Sequence, residues 1–113
     1  MGLRPHSECL HAIVAGSASP LAAVSAVANH RVSVYRIAIT VAAAVNVTVQ
    51  DTAAAALSSA FQFVGASPQP VIIGDPNNGD PLWQTGVGLG IQIALSGAVQ
   101  TNLDIWYTQE VAF

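Results

Sequence analysis

Three stretches of this chain alternate strictly between apolar and polar or small side chains. A period of two is the signature of a strand with one buried face, because successive side chains leave a strand on opposite sides. Val45, Val47 and Val49 alternate with Asn46, Thr48 and Gln50, and Leu89, Ile91, Ile93 and Leu95 alternate with Gly90, Gln92, Ala94 and Ser96. Leu103, Ile105 and Tyr107 alternate with Asp104, Trp106 and Thr108. A fourth stretch, Arg31 to Val41, is rich in β-branched residues, but its apolar parity shifts between Val32 and Val34 on one side and Ile37, Ile39 and Val41 on the other. One extra residue near Tyr35 explains the shift, since a bulge moves every later side chain to the opposite face. Phe61 and Phe63 around Gln62, and Val71 to Ile73, read as two further short strands.

Turn formers punctuate these runs at Ser19-Pro20, Ala28 to His30, Gly65 to Pro70, Gly74 to Pro81 and Ser96-Gly97, with Asn78-Gly79 the strongest tight-turn pair among them. About seven or eight short strands at this spacing predict an all-β fold, a single-domain antiparallel β-sandwich or jelly roll. The alanine run in Asp51 to Ser59 predicts a connecting loop or short helix. With 113 residues there is room for one domain. Residues 1–20 are expected to be an N-terminal arm or first strand, and residues 21–113 the sandwich domain.

Charge narrows the function classes. Hydrophobic residues make up 52% of the chain and charged residues 8%, with no lysine and a net charge of −3. An ordinary soluble domain carries roughly 25% charged residues. The cations are Arg4, Arg31 and Arg36, too few to form a stripe that neutralises phosphates, so nucleic acid is not an expected partner. A membrane is not expected either. The longest apolar candidate, Ile37 to Val49, is interrupted by Thr40, Asn46 and Thr48, and a spanning helix needs about 20 continuous apolar residues. The short stretch Leu10 to Ala15, broken by His11, does not read as a secretion signal, which predicts assembly in the cytoplasm where the chain is made. So sparse a charge cover predicts that partner subunits hide much of the surface.

Candidate chemistry is thin. His6, Cys9 and His11 lie close in sequence, but a metal site needs three or four converging ligands, and a frayed arm is the simpler reading. Gly86, Gly88 and Gly90 resemble a phosphate loop only in spacing, because a strand follows where such loops open a helix. The alternative is that these glycines allow close backbone approach. Asp75 and Asp80 with Asn77 and Asn78 lack the stepwise spacing and terminal Glu of a calcium-binding loop, and read as a solvated acidic loop. No G-x-S-x-G elbow is present. No catalytic residue, metal or cofactor is expected. Trp83 and Trp106 are the candidate interface anchors, Trp106 the stronger because its parity opposes that of Ile105 and Tyr107. Trp83, between Asp80 and Gln84, is also the one candidate platform for a sugar ring.

The order of segments carries a resemblance. Leu21 to Tyr35, with Ala28-Asn29-His30-Arg31-Val32-Ser33-Val34 at its end, leads to the strand Val45-Asn46-Val47-Thr48-Val49-Gln50. Trp83-Gln84-Thr85-Gly86-Val87-Gly88, Ser96-Gly97-Ala98-Val99-Gln100 and Asp104-Ile105-Trp106-Tyr107 follow. This arrangement is similar to a family of small tailed-phage virion proteins, in which an A-G-K-R-I-R-V start precedes a V-N-V-T-F-Q type strand and a final strand ending in Tyr. The likeness covers roughly residues 21 to 109, and Asn29-His30 stand where the family has Gly-Lys. It implies a head decoration (cement) protein, a homo-oligomer and most often a trimer, on the capsid surface of the virion with the major capsid protein as partner. A tail-fibre or baseplate module and a glycan-binding module are the alternatives.

Overall fold

A computed structural model describes residues 9–67, 69–75 and 79–112. These residues form nine strands and no helix: β1 (Leu10–Gly16), β2 (Leu21–Val24), β3 (His30–Val41), β4 (Val45–Asp51), β5 (Phe61–Phe63), β6 (Val71–Gly74), β7 (Trp83–Gln84), β8 (Ile91–Leu95) and β9 (Thr101–Val111). They build two antiparallel sheets. The first has the order β1-β9-β3-β6, with β7 continuing the β6 edge along β3, and the second has the order β2-β8-β4-β5. Pairing is nested: β1 with β9, β2 with β8, β3 with β6 and β4 with β5. A long antiparallel ribbon folded over on itself produces this order, which is the jelly-roll winding.

The alternating segments occupy the middle of the sandwich. Val45, Val47 and Val49 of β4 and Ile91, Ile93 and Leu95 of β8 point inward from one sheet. Val32, Val34, Ile37 and Ile39 of β3 and Leu103 and Ile105 of β9 point inward from the other. The parity shift in β3 is a bulge: the register with β9 slips between Val34 and Arg36, leaving Tyr35 as the extra residue. Tyr35 is buried, so the slip keeps Val32 and Val34 in the same core as Ile37 and Ile39.

Three strands escape a period-two reading. Leu10–Gly16 and Leu21–Val24 are apolar or small at nearly every position, and β7 has only two residues. Of the two readings of residues 1–20, an arm or a first strand, His11 falls in strand β1 and pairs with Trp106, while His6 lies outside the described residues. Strand β8 begins at Ile91 rather than Leu89, because Gly90 serves another contact. A Cβ at Gly90 would run into the Val24 carbonyl oxygen, while the Gly90 amide donates to Thr52 Oγ1 and its carbonyl accepts from the Thr52 amide. The alanine run after β4 is a loop. The buried Asp51 carboxylate accepts from the amides of Ala53 (2.9 Å) and Ala55 (3.0 Å), a local turn that competes with helix. Of the Asn78-Gly79 pair, Asn78 lies outside the described residues and Gly79 takes a positive φ of 87°.

Candidate functional site

Outward-facing residues of the first sheet line up in rows across β1, β9 and β3. His11, Trp106 and Arg36 form one row, since His11 is opposite Trp106 and Trp106 is opposite Arg36. Ile13, Asp104 and Ala38 form the next. On the other side of the tryptophan, Thr108 is opposite Ser33, and Glu110 is opposite Arg31. The bulge at Tyr35 aligns these rows, because without the extra residue Arg36 would point into the core.

Trp106 is gripped from both sides. The His11 ring stacks on it with centroids 4.6 Å apart and planes 13° from parallel, and the Arg36 guanidinium carbon lies 5.0 Å from its ring centroid. His11 is itself fixed by Asp104: Nε2–H donates to the Asp104 carboxylate at 2.9 Å. An aromatic stack contributes about 0.5–1.5 kcal/mol and an exposed cation–π contact about 0.5–1 kcal/mol, enough to hold the indole as a half-buried plate without making it core. Beside this plate, Thr108 and Ser33 are almost fully buried on the outward side, and the Gln84 amide donates to Ser33 Oγ at 3.0 Å. Arg31 Nε, Arg36 Nε and Thr108 Oγ1 are buried without a hydrogen-bond partner.

The outer face of the second sheet has a different character. Asn46, Thr48 and Gln50 of β4, Gln62 of β5 and Gln92 of β8 point outward, and none carries a formal charge. Gln92 Nε2 donates to Gln50 Oε1 at 2.9 Å across the strands. The molecule thus has one face of tryptophan, arginine and histidine and one of neutral amides.

The other candidates are scattered. Trp83 pairs through β7 with Val34, lies half-buried against the core, and meets Phe61 of the second sheet with ring centroids 6.3 Å apart at 56°. Its ring meets the second sheet through Phe61, while the Gln84 amide turns to Ser33. His30 Nδ1–H donates to the Ala28 carbonyl at 2.9 Å, and Cys9 is half-buried just before β1. Among the described residues no three His, Cys, Asp or Glu side chains come together. Asp75 and Asp80 are exposed, and the two asparagines between them lie outside the described residues. The glycine run is a turn whose groups are used internally: the Gly88 amide donates to the His30 carbonyl, and Thr85 Oγ1 accepts from the Val32 amide.

Sequence reasoning marked Trp106 but missed its partners His11, Asp104 and Arg36. They lie 95, 2 and 70 residues away from it in the chain, and only the strand register brings His11 and Arg36 to it. Comparison of the chain with protein-family models, with curated proteins and with solved structures returns no match.

Proposed function

We propose that this chain is a head decoration (cement) protein of a tailed phage, a homotrimer seated on the capsid surface and bound to the major capsid protein. The observation that carries the reading is the His11–Trp106–Arg36 row on an outer face of a charge-poor jelly roll. Tryptophan and arginine are the residues that most often anchor protein interfaces, and an indole held rigid before binding loses little entropy on docking. The resemblance of residues 21 to 109 to small phage virion proteins supports the same reading, and so does the recurrence of jelly rolls in viral capsid domains. A cement protein holds a shell through many copies, where repeated engagement raises effective affinity without a strong single contact.

In this proposal the chain has no catalytic residue and no cofactor, and neither nucleic acid nor membrane is a partner. Trp106 anchors a subunit contact, and the neutral amide face of the second sheet is left for the shell. Electron microscopy of the intact virion tests it directly. Density for the jelly roll at local three-fold positions on the outside of the head is the expected result, and a head without it overturns the proposal.

A further inference from the structure

The four sheet edges are unequal. Strand β2 has four residues and a register irregularity, β5 has three, and the opposite edge of the first sheet is split between β6 with four and β7 with two. Short, broken edges are poor templates for strand addition. Strand β1 is the exception. It has seven residues, pairs with β9 from Leu10 to Gly16 without a register shift, and contains neither proline nor a formally charged residue. Ile13 at its centre is 77% exposed and Leu10 51%.

We infer that β1 pairs antiparallel with β1 of a second copy about a two-fold axis at Ile13, joining the two first sheets into one. The sequence of the strand is self-complementary about that residue. With Ile13 opposite Ile13 of the second copy, His11 meets Ala15, Ala12 meets Val14, and Leu10 meets Gly16. Each larger side chain faces a smaller one, and the exposed isoleucine is covered by its own symmetry mate. A two-fold contact requires such a self-complementary patch. The neutral strand brings no like-charge repulsion to the pairing. Beside β1 on the same side of the sandwich lies β2, whose accessible residues are Ala22 and Ala23, too small to hold two copies apart. This contact uses an edge rather than the Trp106 row, and it stands independently of the cement reading.

Cross-linking of the purified chain in solution tests the pairing, with Cys9 replaced by Ser in every variant. Ile13→Cys places two thiols opposite each other across the axis, with Cβ atoms about 4.5–5.5 Å apart. Ala15→Cys places them four residues of strand apart, about 13 Å. A bifunctional thiol reagent shorter than that distance should give a covalent dimer with Ile13→Cys and none with Ala15→Cys. Ile13→Lys sets two like charges face to face and should lower the mass measured by light scattering while leaving the circular dichroism spectrum unchanged. Equal cross-linking of both cysteine variants, cross-linking of neither, or an undiminished mass for Ile13→Lys would overturn the inference. Because the readout is taken on the free protein, its failure would leave the position on the capsid untouched.

Discussion

Trp106 and His11, opposite each other on β9 and β1, stack with their rings 4.6 Å apart and 13° from parallel. The neighbouring residue Ile105 is fully buried on the other face of the same strand. One strand therefore presents a half-buried, outward-facing residue and a core residue side by side, and the two should respond differently to truncation.

Trp106→Ala should weaken assembly more than it weakens folding. The subunit loses one stack and one cation–π contact, about 1–2.5 kcal/mol together. Light scattering at micromolar concentration should show the native oligomer and a smaller species for the variant. A monomeric native protein would refute the oligomer, and an unchanged variant would refute the anchor.

Ile105→Ala should do the reverse. A fully buried isoleucine removed from a packed core costs about 2–5 kcal/mol. The denaturant midpoint should fall well below that of Trp106→Ala, and equal midpoints would contradict the assignment of the two faces.

Gly90→Ala should destabilise the fold by about 1–3 kcal/mol, because the new methyl meets the backbone of Val24, Ser25 and Ala26 and no rotamer relieves it. Gly97 has nothing within 4 Å of its would-be Cβ, so Gly97→Ala serves as the control and should leave the thermal midpoint nearly unchanged.

Asp51→Ala should cost about 1–3 kcal/mol, since it strips the acceptor from the Ala53 and Ala55 amides at a buried position. Asp51→Asn keeps an acceptor oxygen and should recover most of that loss in chemical denaturation. If both variants unfold alike, the carboxylate's turn does not organise the loop.

Much of the all-β fold was legible along the chain, because a half-buried strand writes its two faces into alternate residues. Val45 to Gln50 and Leu103 to Thr108 show this, and the bulge at Tyr35 is written into the sequence as a parity slip. Strands β1 and β2 were not legible as strands by that rule, since a run such as Leu-His-Ala-Ile-Val-Ala-Gly has no polar face to contrast with its apolar one. By itself the sequence determined the strand class, the poverty of charge and the outward parity of Trp106. Only the tertiary structure decided that His11 and Arg36 would close on that indole, that Trp83 would turn inward to Phe61, and that the ribbon would wind into a jelly roll. The physical reason is that alternation is a property of one strand, readable within a few residues, whereas register across strands is set by which distant partners close a common core.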